Sequence, residues 1–339
     1  MSITTIPWTQ KTSNPLHLIK LSLDKNFPVK FWLQLCTVNL LTGINFWFSA
    51  IKISHGGHWC KKISAGCANC YAEEINQSAY FKFASYLKYT GNRPKNLILD
   101  VDILRQWISS RTENEKIFCF SMTDCFGDWV TDEELDVIFA HAAIATHKTL
   151  QFLTKRPDRM LKYLADNNCK ARIASVIESD EFLRSRKISA YILHRLKHYP
   201  DKFTFENCWF GASIENQKAV TNRASHLYKL HNRGFITWYS VEPLLEETIL
   251  YLNHERVDWV VVGAESGSGA RDCGLDAIAG IISECRVNQV PVFCKQMGTA
   301  WAKQSKTYRV DPKGETPELW DKSFNIREFP KFPALMRNP

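Results

Sequence analysis

Trp259-Val260-Val261-Val262-Gly263-Ala264-Glu265-Ser266-Gly267-Ser268-Gly269 sets an apolar run directly against a glycine-rich polar turn. A short apolar run bounded by turn residues is the pattern of a strand buried on both faces. The same arrangement recurs along the chain. Residues 117–121 run into Ser121-Met122-Thr123-Asp124, 150–154 into Thr154-Lys155-Arg156-Pro157, and 208–213 into Ser213-Ile214-Glu215-Asn216. Residues 236–241 lead to Glu242-Pro243, and 291–295 to Lys295-Gln296-Met297-Gly298. Between the runs lie helical patterns. Thr131-Asp132-Glu133-Glu134 supplies a capping residue and an acidic first turn, and residues 276–287 place Ile278, Ile281, Ile282 and Cys285 on one face. The alternation predicts an α/β fold, a parallel (β/α) barrel that is partial or complete. Polar residues at the carboxyl ends of successive parallel strands are where such barrels build active sites.

The rest of the composition fits a folded chain. Of 339 residues, 45% are hydrophobic and 23% charged, with 20 Phe, 11 Trp and 11 Tyr, which excludes wholesale disorder. Lys plus Arg number 43 against 35 Asp plus Glu, a net charge of +8 that permits a nucleic-acid partner without demanding one. The 11 cysteines are odd in number, and residues 1–10 are polar rather than leader-like. Both features predict a reducing, cytoplasmic setting, where clustered cysteines point to metal before disulfide.

Four regions are expected: an amino-terminal arm (1–20), a largely uncharged apolar insertion (21–53), the barrel (54–300) and an irregular carboxy-terminal extension (301–339) with five prolines. Residues 162–202 are charge-rich and read as helical surface. Within the insertion, residues 31–51 carry no charge and are long enough to span a bilayer. Gln34, Thr37, Asn39, Thr42, Gly43, Asn45 and Ser49 break up their apolar character, and lysines on both flanks give no orientation. A buried or partner-facing element is expected there, not a membrane span.

The sharpest motif is Cys60-x6-Cys67-x2-Cys70. Three thiols on one glycine-containing loop can surround an inorganic centre, and two fit. Zinc takes four ligands in a tetrahedron, and His58 would complete a Cys3His site. A 4Fe-4S cluster held by three cysteines leaves one iron open to chelate S-adenosylmethionine, whose reductive cleavage begins radical chemistry. The zinc alternative describes a non-enzymatic binding protein; the iron alternative also accounts for the polar strand ends.

Gly57-His58-Trp59-Cys60, Gly66-Cys67-Ala68-Asn69-Cys70-Tyr71-Ala72-Glu73 and the strand-end motifs above together resemble the phage Gp-thirty-seven/Gp-sixty-eight family. Trp8-Thr9 and Thr12-Ser13-Asn14-Pro15 extend the likeness. The resemblance covers residues 54–300 and implies a divergent radical S-adenosylmethionine protein of unsettled substrate, served by an external electron donor and a separate three-Cys-motif partner protein. This chain departs from the usual radical-enzyme spacing: its first cysteine gap is six residues, and the aromatic Tyr71 follows the last cysteine.

The resemblance makes Cys60, Cys67 and Cys70 the cluster ligands and places Ser121, Thr123 and Asp124 where the cofactor's amino group is held. Ser213, Glu215 and Asn216 offer groups suited to ribose hydroxyls. Gly263 and Glu265 open a loop whose glycines allow close backbone approach to the adenosyl group. Lys155, Arg156, Glu242, Glu265 and Lys295 would ring the mouth with charge, Glu242 and Lys295 as catalytic candidates. Their cations suit a nucleotide or nucleic-acid phosphate, unless acids and bases pair with one another.

Overall fold

The alternating apolar runs pair in chain order into one sheet. The computed structural model describes residues 2–3, 9–23, 51–55, 57–78, 88–109 and 111–331. Its strands are β1 (Ser2–Ile3), β2 (Lys11–Ser13), β3 (Leu16–Leu23), β4 (Ile51–His55), β5 (Leu97–Leu99), β6 (Glu115–Cys119), β7 (Lys148–Thr154), β8 (Cys208–Ser213), β9 (Ile236–Leu244), β10 (Trp259–Ala264) and β11 (Val292–Gln296). The main sheet runs β1-β2-β6-β7-β8-β9-β10-β11. From β2 to β11 every pairing is parallel, and β1 adds an antiparallel edge. These seven parallel strands form a curled half-barrel, so the expected barrel is partial. A small antiparallel sheet, β4-β3-β5, stands beside it.

The helices are α1 (Tyr71–Gln77), α2 (Val101–Ser109), α3 (Asp132–Ile144), α4 (Pro157–Leu164), α5 (Cys169–Ser179), α6 (Glu181–Arg184), α7 (Ser189–His198), α8 (Gln217–His231), α9 (Leu275–Val287) and α10 (Gly298–Gln304). Helix α3 starts where the acidic first turn predicts. Thr131 Oγ1 accepts from Glu134 N while Glu134 Oε2 accepts from Thr131 N, a reciprocal capping box. Residues 162–202 are helical as expected, but α5 also buries Cys169, Ile173, Ala174 and Ile177.

Each face of the sheet has its own core. Towards the helices, Phe139 meets Phe152, Phe205 and Phe210 at ring-centroid separations of 5.2, 5.3 and 5.9 Å. On the other face Phe118, Trp209, Trp238, Trp259, Val261 and Phe293 form a second cluster without a helical residue. Gly211 belongs to this layer, since a Cβ there would stand 2.4 Å from the Trp238 indole. The carboxy-terminal extension completes it: Phe329 stacks on Trp259 at 5.4 Å. The same segment covers the β11 edge, with Cys294 N donating to Ile326 O (2.8 Å) and Glu328 N to Val292 O (3.0 Å). Covering an edge in this way leaves fewer unpaired backbone groups to recruit another chain.

The first parallel strand, β2, comes from the amino-terminal arm, so arm and barrel share one sheet. Residues 24–50, most of the apolar insertion, lie outside the described residues. Among the described residues no helix is long and apolar enough to cross a membrane.

Candidate active site at the strand ends

The three cysteines sit, partly buried, on the loop between β4 and α1. That loop is fastened to one strand end after another. Past β6, Thr123 Oγ1 donates to Trp59 O (2.7 Å) and Ser121 O accepts from the Tyr71 hydroxyl. Past β7, an Arg156 terminal nitrogen donates to Lys61 O (3.0 Å). Past β8, Glu215 lies against Gly66, where a Cβ would come within 3.3 Å of its side chain. Past β10, Asn69 Nδ2 donates to Glu265 Oε2 (3.1 Å) and Gly269 O (3.0 Å), and Arg271 donates to Ala65 O (3.1 Å).

The thiols feel one another's charge, so one loop gathers three soft donors at the mouth. Burial pushes Cys60 and Cys70 up. Burial also opposes ionisation of Cys67, but the Lys155 ammonium and hydrogen bonds from Ile63 and Ser64 outweigh it and take Cys67 below the ordinary thiol value. This donor set fits an iron–sulfur cluster. Among the described residues no three His, Cys, Asp or Glu side chains converge on a single-ion position. A cubane asks for something different, because each thiolate binds a separate iron.

His58 is buried and held by Leu16 O and the Asn76 side chain. Its Nδ1 lies 2.8 Å from Leu16 O, and its backbone exchanges hydrogen bonds with the Asn76 amide at 2.7 and 2.6 Å. Burial pushes its pKa down to about 4, against the Leu16 carbonyl, with the neighbouring His17 adding to the depression. The bond to Leu16 is compatible with metal ligation through Nε2, so what speaks against a Cys3His zinc site is that no such donor group converges among the described residues.

Most of the remaining strand-end groups already have protein partners. Asp124 accepts from Thr154 Oγ1 (2.8 Å), Phe126 N (3.0 Å), Lys155 N (3.1 Å) and Arg156 (3.2 Å). Arg156 also pairs with Asp128 at 3.1 Å and lies 4.6 Å over the Trp129 ring. Ser121 Oγ donates to Asn14 Oδ1 (3.1 Å). Asn216 Oδ1 caps α8 by accepting from Ala219 N (2.9 Å). Buried Glu215 pairs with Arg223 (2.6 Å), and Glu265 with Arg271 (2.5 Å). Burial works against both carboxylates, but these arginines hold them below the ordinary glutamate range. Acids and bases at the mouth therefore do pair. Ser213 Oγ stands 3.5 Å from Lys155 Nζ.

Glu242 and Lys295 meet at 3.0 Å across β10. At this level both neighbours of β10 slip in register. Val262 pairs with Cys294 and Gly263 with Gln296, which leaves Lys295 as the extra residue of β11. On the other side Val262 pairs with Val241 and Ala264 with Leu244, so β9 also carries an extra residue around Glu242. Bulges of this kind re-aim side chains beside active sites.

The sequence reading missed Asn14, Asn69, Arg223 and Arg271 as partners. Asn14 and Asn69 were visible only as members of motifs, and nothing local paired them with residues 107 and 196 positions away.

Fold and site define a parallel α/β half-barrel protein whose strand-end mouth is covered by a three-cysteine loop. The chain belongs to the DUF5131 family, proteins of unknown function, which it matches over residues 49–328. No curated protein matches it. One solved structure to which it is similar is a spore photoproduct lyase mutant with bound AdoMet and a dinucleoside spore photoproduct. The identity is 13% and the TM-score 0.30, over 56% of this chain and 52% of that one, so this chain spans about half of that protein's length. A likeness so slight does not bear on chemistry.

Proposed function

We propose that this protein is an iron–sulfur, S-adenosylmethionine-dependent radical enzyme acting on a nucleotide or nucleic acid. One observation carries the reading: the loop bearing Cys60, Cys67 and Cys70 is tied to the ends of β6, β7 and β10 and packed against the end of β8, which puts its thiols at the mouth of the half-barrel. When bound, a three-thiolate cluster supplies an open iron and one electron to the sulfonium cofactor. The chain's own residues divide the remaining work. Thr123, Arg156, Asn69 and Arg271 hold the loop in place. Lys155 places positive charge beside Cys67 and Cys70. Ser213, Glu242 and Lys295 present polar groups to whatever occupies the mouth, and the two lysines suit an anionic substrate. An external reductant, a three-Cys-motif partner protein, a cytoplasmic setting and kinship with the phage Gp-thirty-seven/Gp-sixty-eight proteins belong to the same proposal.

The test is anaerobic purification with iron, sulfide and zinc analysis, followed by electron paramagnetic resonance of the reduced protein with and without S-adenosylmethionine. About four irons per chain and a signal shifted by the cofactor are expected. One tightly held zinc without iron overturns the reading.

A further inference from the structure

We propose that the end of α10 and the turn after it, residues 303–313, form a docking surface for a single-stranded nucleic acid that passes from there across the mouth. The inference rests on the reading of the mouth as the substrate site and narrows its substrate from a nucleotide to a nucleic-acid strand.

Charge comes first. Lys303, Lys306, Arg309 and Lys313 stand within eleven residues whose one acid is Asp311. All four cations are exposed, whereas Asp311 is 3% exposed and is used within the turn, accepting from Glu315 N and Thr316 N (both 2.9 Å). Lys313 stands 3.8 Å from Glu315 at the surface. Among the described residues Lys303, Lys306 and Arg309 have no carboxylate partner.

An aromatic ring lies among these cations. Tyr308 is 45% exposed, with Lys303 Nζ 5.4 Å from its ring centroid. Cations interleaved with an exposed ring are how proteins hold single strands: the cations follow the phosphates, and a base stacks on the ring. A duplex keeps its bases inside, and an acidic peptide has no planar base to offer.

The turn is ordered and sits at the mouth. Tyr308 N donates to Ala302 O, and Val310 N and Asp311 N both donate to Thr307 O (all 2.9 Å). Met297 N and Gly298 N donate to Gly314 O (2.8 Å) and Lys313 O (3.1 Å), which fastens the turn to the end of β11. Thr299 N donates to Glu265 O (3.0 Å), and Glu265 also holds Asn69 of the cysteine loop. A surface ordered beforehand costs less to bind. Across the mouth, past β7, a second basic rim faces it. There Lys155, Arg156, Arg159 and Lys162, against Asp128 and Asp158, line a cavity of about 410 Å³ beside Ile63 of the cysteine loop. Four strand spacings, about 19 Å along the sheet, separate β7 from β11. A mononucleotide does not bridge the two rims; a strand of several nucleotides does, passing over the cysteine loop.

The experiment is fluorescence anisotropy of the full-length protein, under anaerobic conditions, with a labelled single-stranded DNA of about twelve nucleotides and its RNA equivalent. Affinity is expected to fall as salt rises, with a log–log slope of about −0.7 for each phosphate neutralised. Lys306→Glu combined with Arg309→Glu should weaken binding at least about tenfold and make that slope shallower by about 1.4. Tyr308→Ala should weaken binding about fivefold or more at an unchanged slope, because a stacked base is lost. All three positions are exposed, and melting curves should match the parent. No binding, binding indifferent to salt, or binding untouched by the charge reversal overturns the proposal. So does displacement by UMP at the nucleotide concentration of the strand, which would return the site to mononucleotides. A duplex bound as tightly as the strand, with Tyr308→Ala silent, would overturn the single-strand assignment. Displacement by polyglutamate as effective, charge for charge, would give the turn to an acidic partner protein. Strand binding needs no metal. A zinc-only preparation that binds strands as expected would sink the radical reading and leave this one standing, and an iron–sulfur preparation that ignores them would do the reverse.

Discussion

Glu242 and Lys295 stand on β9 and β11, with β10 between them, yet their charged groups meet at 3.0 Å above Gly263. Two register slips and one absent Cβ make the meeting possible. Gly263→Ala tests the arrangement directly. The new methyl would fall 2.8 Å from Glu242 Oε1 and 3.2 Å from Gln296 Cγ, so the pair must separate. Overpacking of this kind costs about 1–3 kcal/mol. Urea denaturation should show that loss. A parent-like midpoint would mean that the absent Cβ is not what lets the pair meet.

Arg156 connects the sheet to the cysteine loop. It pairs with Asp124 where both side chains are under 10% exposed, 7% and 9%, and donates to Lys61 O. Arg156→Ala would leave Asp124 charged and buried, which for such pairs costs about 3–5 kcal/mol. Asp124→Asn should cost less, because the amide oxygen still accepts from Thr154 Oγ1 and Phe126 N while Arg156 keeps Asp128. Chemical denaturation of both variants gives the order, and equal losses would show that the charge is not the issue. Iron content after reconstitution should fall in Arg156→Ala, whose loop has lost an anchor.

Acid should release the same loop from another side. Burial disfavours ionisation of Glu215 and Glu265, but Arg223 and Arg271 more than compensate, so both folded pKa values lie below the ordinary value of 4.5. The unfolded chain binds these protons more readily, so the pairs stabilise the fold fully above about pH 4.5 and lose that effect as pH falls through the depressed folded values. Limited proteolysis of residues 57–70 should therefore accelerate as pH drops below about 4.5. Arg271→Leu should move the onset towards higher pH. An onset indifferent to Arg271 would detach Glu265 from the role given to it.

How much of this was legible beforehand depended on the distance over which each residue acts. Strand β8 begins and ends where its apolar run does, and the Thr131 cap and α9 lie where local pattern places them, because burial and capping act within a few residues. Strand β2 did not announce itself. Lys11, Thr12 and Ser13 are polar, and only pairing with β6 some hundred residues on makes them a strand. The site divides in the same way. Spacing alone marked the three thiols. That Asn216 caps a helix and that Glu215 and Glu265 pair with arginines was undetermined, since a polar strand end reads the same whether it faces a ligand or a neighbour.

The thiols themselves give the last test, in protein stripped of metal by a chelator. Burial raises Cys60 and Cys70, whereas at Cys67 burial is overcome by Lys155 and by hydrogen bonds from Ile63 and Ser64, which lower its pKa. The thiolate is the nucleophile, so near pH 8 iodoacetamide should modify Cys67 before the other two. Lys155→Met removes the nearest positive charge and should slow Cys67 selectively, leaving Cys60 unchanged. Reconstituting iron before labelling should protect all three together, because coordination draws charge from the sulfur and shields it. Mass spectrometry of the labelled peptides reads every arm. If Cys60 reacted first, the loop would have to lie differently on the strand ends; if iron protected none of the three, the cluster assignment would fail with it.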